Sequence, residues 1–226
     1  MSLLQNSNAV TPSAGYDIDN SCRFNAGDAP SLFRDITSTT TSSNFTFSCW
    51  FKSTGDNSGP DASTQDCYRM MYSSGNTDIN TQIGLASQSG VTDTADLCIR
   101  FGDIERPSGS MYFKGLSNNL IRDFSAWYHL VLSYDQSLSA ASRVRLYLNG
   151  ELLTLYSQTD PTSNRRWVYD KIYVGRGMGN ASGNPERPWD GYMAEVHMLD
   201  GITKVASDFG ETDVLTNQWK AIKYAG

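Results

Sequence analysis

Glu195 and His197 stand two residues apart in Tyr192-Met193-Ala194-Glu195-Val196-His197-Met198-Leu199. That segment alternates in polarity, so an extended chain puts both side chains on one face. A carboxylate beside an imidazole is a conceivable acid/base couple. The plainer expectation is that Glu195 ties down a neighbouring strand or loop by hydrogen bonds while His197 stays partly exposed. The nearest acidic cluster is Glu195 with Asp200, which extended geometry places on opposite faces and roughly 16 Å apart. A retaining glycosidase needs its two carboxyl groups about 5 Å apart. The other histidine, His129, lies near Trp127 on a core-like strand and reads as a satisfied, half-buried residue. No nucleophile-elbow motif accompanies the two histidines, so Ser-His hydrolysis lacks support. No catalytic residue is expected.

Binding chemistry has more material. Sugars stack on exposed aromatic faces and hydrogen-bond to Asn, Asp and Gly-rich loops. Trp50 on the polar side of its strand, Trp167 and Tyr169 beside Arg165 and Arg166, and Trp189 in Pro188-Trp189-Asp190 are the candidates. Each could equally cover loop contacts or a subunit interface, the commoner use of Trp, Tyr and Arg at such places. Asp56, Asp61 and Asp66 share a loop whose composition would suit calcium, as do Asp93 and Asp96. They lack the spacing of an EF-hand, and acidic loops are usually just solvated, so no cofactor is required. Cys22, Cys49, Cys67 and Cys98 form no CxxC pair and have no nearby histidine to complete a zinc site. Free thiols are expected.

These residues must be positioned by strands. Phe45, Phe47, Cys49 and Phe51 alternate with Thr46, Ser48, Trp50 and Lys52, and Tyr128, Leu130, Leu132 and Tyr134 alternate with Trp127, His129, Val131 and Ser133. Val144, Leu146 and Leu148 follow the same rule and run into Asn149-Gly150, the strongest hairpin signal in the chain. Tyr192, Ala194, Val196 and Met198 form a further apolar row. Weaker strand candidates are Tyr68 to Ser73, Gln82 to Ala86, Leu97 to Phe101, Met111 to Phe113 and Lys171 to Gly175. Ser53 to Asp66, Ser87 to Asp96 and Gly175 to Asp190 read as loops, and Ser207 to Phe209 and Thr216 to Tyr224 as short helical turns. About ten short strands without a sustained helical period predict an all-β, two-sheet antiparallel sandwich. Its expected extent is 15–226, preceded by a polar N-terminal arm, 1–14, suited to assembly contacts.

A net charge of −6 gives a phosphate backbone a repulsive average field, so nucleic acid is not an expected partner. No apolar run approaches the roughly 20 residues that cross a bilayer, and Met1 to Asn6 lacks signal-peptide regions. Synthesis in a host cytoplasm without membrane insertion is the expectation.

Several segments together resemble a known family. Trp127 to Tyr134, then Arg143 to Glu151 with its Tyr147-Leu148-Asn149-Gly150, resemble the W-x-H strand and Y-x-N-G hairpin of laminin-G-like and concanavalin A-like jelly-roll domains. Asp190 to Gly201 resembles their closing strand. The opening Tyr16 to Phe24, and the ending Ala206 to Asp213 with Trp219, Lys220 and Tyr224, are similar to laminin-G-like proteins of tailed, often marine, bacteriophages. Lys204-Val205-Ala206 and Ala221 depart from that pattern where prolines are usual. The fold hosts lectins, glucanases and structural modules, so fold alone names no activity. The E-x-D-x-x-E triplet of the glucanase branch is missing. The resemblance implies a non-enzymatic virion structural protein, decorating the capsid or sitting on the tail or fibre apparatus and touching the host surface. Its expected partners, reached through the N-terminal arm, are either other virion proteins or its own copies in a homotrimer. A carbohydrate-binding receptor-recognition protein is the alternative, and a polysaccharide depolymerase the third reading.

Overall fold

The computed structural model describes residues 16–37, 43–54, 67–75, 79–87, 95–103, 113–159, 167–168, 171–177 and 188–226. The arm 1–14 and most of the three expected loops lie outside the described residues. In chain order the strands are β1 (Cys22–Phe24), β2 (Leu32–Asp35), β3 (Asn44–Ser53), β4 (Cys67–Gly75), β5 (Ile79–Ser87), β6 (Ala95–Asp103), β7 (Phe113–Ile121) and β8 (Tyr128–Asp135). They continue as β9 (Val144–Leu148), β10 (Glu151–Leu152), β11 (Leu155–Thr159), β12 (Lys171–Val174), β13 (Gly191–Asp200), β14 (Gly210–Thr212) and β15 (Trp219–Ala221).

They form two large antiparallel sheets, ordered β1-β13-β3-β8-β9-β10 and β11-β7-β6-β5-β4-β12-β2, and a small β14-β15 hairpin. The expected β-sandwich is therefore what the chain builds. Period-two alternation decides which side chains meet between the sheets. Phe45, Phe47, Cys49 and Phe51 of β3 and Leu130, Leu132 and Tyr134 of β8 face Met71, Tyr72, Ile83, Leu85 and Ile172 of the other sheet, all in one core. Fully burying each large apolar side chain contributes ~1.5–3 kcal/mol, so this layer holds the sandwich closed. Burial also pushes the Cys49 thiol up, and Cys22 and Cys49 are both free.

Asn149 and Gly150 both have positive φ, 49° and 85°, the type I′ geometry that matches the twist of the flanking strands β9 and β10. Two sequence expectations are corrected. Residues 216–224 do not form a helical turn, because Trp219 to Ala221 pair with Gly210 to Thr212 as a strand. Tyr192, Ala194, Val196 and Met198 do not share one face either. A β-bulge between Ala194 and His197 sets three steps of β13 against two of β3, with Glu195 left-handed at φ 46°. One extra residue reverses the parity, so Met193 and Met198 both reach the core while Ala194 and Leu199 pack outside it.

Candidate functional site

The outer face of the six-stranded sheet carries Thr46, Ser48, His129 and Ser133, which are polar and nonetheless buried. Each needs a partner there. The chain after β13 supplies most of them. Thr46 Oγ1 donates to the Ile202 carbonyl and accepts from Lys204 N–H, both at 2.8 Å. Ser133 donates to the Lys204 carbonyl, and Thr203 Oγ1 donates to the Tyr134 carbonyl at 3.0 Å. A 3-10 turn at Ala206–Asp208 follows, closed by Val205 N–H donating to the Asp208 carboxylate at 2.8 Å. Phe209 then stacks on Tyr224, and both rings pack beside His197. The face that alternation marks as solvent-facing is thus roofed by the C-terminal tail.

The β14-β15 hairpin ends this roof by laying Trp219 over the sheet. Its ring lies close above the Cα atoms of Gly150 and Gly210, where a Cβ would come within 2.5 Å of the indole. Any side chain at either glycine would lift the ring. The indole Nε1–H donates to His129 Nδ1 at 3.0 Å. An indole nitrogen only donates, so Nδ1 is the acceptor and the proton of the neutral imidazole is on Nε2, which donates to Ser48 Oγ at 2.9 Å. Trp50 stacks on the same imidazole with centroids 4.9 Å apart. Burial, with His197 as a second contributor, pushes the His129 pKa down to about 3, so the ring is neutral near pH 7.

Trp219, Trp50 and Trp127 together line an open groove of two adjoining basins. One, about 400 Å³, is walled by Tyr16, Asp17, Ile18, Asp19, Asn20 and Ser21 and by Ala194, Lys220 and Ala221. The other, about 610 Å³, is walled by Leu148, Asn149, Glu151, Leu153, Asn217 and Gln218. Trp127 is 40% exposed, while Trp50 is 9% exposed and presents little more than an edge. The Tyr16 hydroxyl donates to Glu195, which holds the Tyr16 pKa above its usual value and anchors the N-terminal wall at the bulge. Lys220 is held 3.3 Å from both Glu211 and Asp213. Backbone N–H groups of Leu215 and Thr216 donate to Asp213, and together with Lys220 they pull its pKa down to about 2.

Of the aromatic candidates read from the sequence, Trp50 lines this groove. Trp167 and Trp189 do not present a face to any ligand: both are 0% exposed. Trp167 stacks on Phe45 at 5.2 Å, and Trp189 meets Phe51 edge-on at 5.8 Å, so both plug the core. They sit among turn-type residues, which disguised them as surface groups. Arg165, Arg166, Tyr169, Asp56, Asp61, Asp66 and Asp93 lie outside the described residues. Among the described residues no group of three or more His, Cys, Asp or Glu is placed to hold a metal ion. His197 Nε2 is 3.4 Å from the Glu195 carboxylate, and both side chains are about a quarter exposed. Trp127, Trp219 and 16–21 were missed as site residues. The signal was the apolar or aromatic character of Trp50, Val131 and Tyr147 at outward positions, which a bare solvated face would not carry.

The two packed antiparallel sheets define a jelly-roll β-sandwich. The family model Laminin_G_3, of the concanavalin A-like lectin/glucanases superfamily, matches residues 25–204, and the chain belongs to that family. No curated protein sequence matches it. Among solved structures, mouse laminin alpha1 chain domains LG4-5 are similar at 12% identity and a TM-score of 0.51, covering 90% of this chain and 48% of that one. The binding domain of Paraclostridial Mosquitocidal Protein 1 is similar at 15% identity and TM-score 0.51, covering 86% and 44%. The CBM40 of a Ruminococcus gnavus sialidase, bound to α2,6-sialyllactose, aligns at 12% identity and TM-score 0.44, covering 80% and 96%. The chain spans under half the length of the laminin and mosquitocidal chains. At identities this low, the laminin and mosquitocidal matches show the shared fold alone. The groove walls at 16–21 and 217–221 fall outside the matched span.

Proposed function

We propose that this chain is a non-enzymatic carbohydrate-binding module carried on the surface of a bacteriophage particle. The observation behind the binding half is the open groove lined by Trp50, Trp127 and Trp219 and rimmed by Asn149, Asn217, Gln218 and Asn20. A half-exposed indole offers the flat apolar face on which a sugar ring stacks, and convergent amide groups satisfy its hydroxyls. Asp17, Asp19 and Glu151 are all solvent-exposed on the rim.

The phage half rests on the resemblance of Tyr16 to Phe24 and of Phe209 to Asp213 with Trp219 to tailed-phage proteins. Those segments include the N-terminal wall of the groove and the hairpin that carries Trp219. Decoration of a capsid or tail by a glycan-binding domain gives both halves one role, touching a host surface.

The test is a bacterial and mammalian glycan array probed with the purified chain and with Trp127→Ala. Binding that the substitution removes supports the module, and an array without signal overturns it. Release of reducing ends from any bound polysaccharide would overturn the non-enzymatic part. Labelling of purified particles with an antibody to this chain tests the virion location.

A further inference from the structure

The charge of the groove narrows what it can take. Its lining includes three carboxylates, Asp17 and Asp19 in one basin and Glu151 in the other. Among the described residues of that lining the one ammonium group, Lys220, is shared between Glu211 and Asp213, which lie beyond it on the hairpin. Its field is directed at those two carboxylates. The groove therefore presents net negative charge on both sides of the tryptophans, in a chain whose net charge is −6. Clefts lined by one sign of charge concentrate that field and raise the cost of bringing in a ligand of the same sign.

The shape adds a second constraint. The basins of about 400 and 610 Å³ share Trp50, Trp127 and Trp219, so the aromatic surface is the crossing point between two compartments. Each compartment is by itself in the range of about 300–1,000 Å³ that holds a small ligand. A single sugar ring would occupy part of one and leave the other to water. A chain of sugar units can stack on the exposed Trp127 and reach polar rims on both sides, Asn20 in one direction and Asn217 and Gln218 in the other.

We infer that the groove takes an uncharged oligosaccharide that spans both basins and rejects chains ending in sialic or uronic acid. The inference rests on the carbohydrate-binding reading and specifies its ligand class. It assigns Asp17, Asp19 and Glu151 the role of a charge filter beside the aromatic platform.

The test uses matched pairs of oligosaccharides, neutral and with a terminal sialic or glucuronic acid, titrated calorimetrically against the full chain. Titrations run at low ionic strength, with a Debye length of about 30 Å, and at high salt, with one of about 3 Å. The neutral member is expected to bind at least tenfold tighter at low salt, with the gap closing to about twofold at high salt. The Asp17→Asn, Asp19→Asn, Glu151→Gln triple variant is expected to close the gap at low salt by raising the affinity for the acidic member at least severalfold. Neutral tri- and tetrasaccharides are expected to bind at least tenfold tighter than their monosaccharides. Anionic chains that bind as well as or better than neutral ones overturn the charge filter, and monosaccharides that match longer chains overturn the span. Both results would leave the binding module standing. Failure of every saccharide, neutral and acidic alike, overturns the module and this inference with it.

Discussion

His129 joins the core chemistry of the sheet to the groove. Its two nitrogens are used by Ser48 and Trp219, and its ring face by Trp50, so the neutral imidazole is a structural part with a fixed tautomer. Protonation would set an N–H against the Trp219 donor. Because the folded-state pKa is depressed to about 3 from an ordinary 6.5, the unfolded chain takes up the proton first. This group's stabilising effect is complete above about pH 6.5 and is lost as pH falls toward 3, with a limiting slope of ~1.4 kcal/mol per pH unit. Denaturant unfolding at stepped pH should show that slope in the parent chain and a shallower one in His129→Gln. Trp127 and Trp50 should separate cleanly. Trp127→Ala is expected to weaken glycan binding about tenfold, ~1.4 kcal/mol, with a smaller fall in melting temperature than Trp50→Ala. Trp50→Ala removes the ring stacked on His129 and should cost ~3–5 kcal/mol of stability by denaturant unfolding.

The C-terminal hairpin works because two glycines let an indole lie flat. Gly150 serves twice, since its φ of 85° also completes the type I′ turn after β9. Gly210 has no such turn to make, and only the closeness of Trp219 demands it. Gly210→Ala should therefore lift Trp219 without touching the sandwich. The expected readout is a red shift in tryptophan emission, loss of binding, and ~1–3 kcal/mol of destabilisation, the usual cost of overpacking. On β13 the bulge performs a different service. It turns Met198 into the core and leaves Glu195 outside to hold Tyr16 and pair with His197. A left-handed Glu is strained by roughly 1–2 kcal/mol, and the contacts it makes offset that strain.

Taken whole, the molecule is a family sandwich, matched over 25–204, with a short segment before it and a tail after it that wall a groove floored by Trp50 and Trp127 of the sandwich. The tail is also a roof. Truncation after Lys204 would keep the whole matched span yet uncover Trp50, Val131 and Tyr147 and strip partners from His129. The truncated chain is expected to bind no glycan and to unfold or aggregate at a lower temperature, as scanning calorimetry and light scattering would show. A stable, monodisperse truncation product would mean that the tail is an accessory with no part in the fold.

Alternation in the sequence determined the sandwich, since period two alone sends Phe45, Phe47, Cys49 and Phe51 to one side of β3. Asn149-Gly150 determined its hairpin because few residue pairs accept two positive φ values. The bulge at Glu195 was not legible, because one inserted residue reverses side-chain parity without changing composition. Nor were the roles of the tryptophans. Trp50, Trp167 and Trp189 look alike in a string of residues, and two of them lie at zero exposure in the core while one edges the groove. Which aromatic meets solvent depends on what packs over it. That was decided by Ile202 to Tyr224 returning across the outer face of a sheet that alternation had marked as bare.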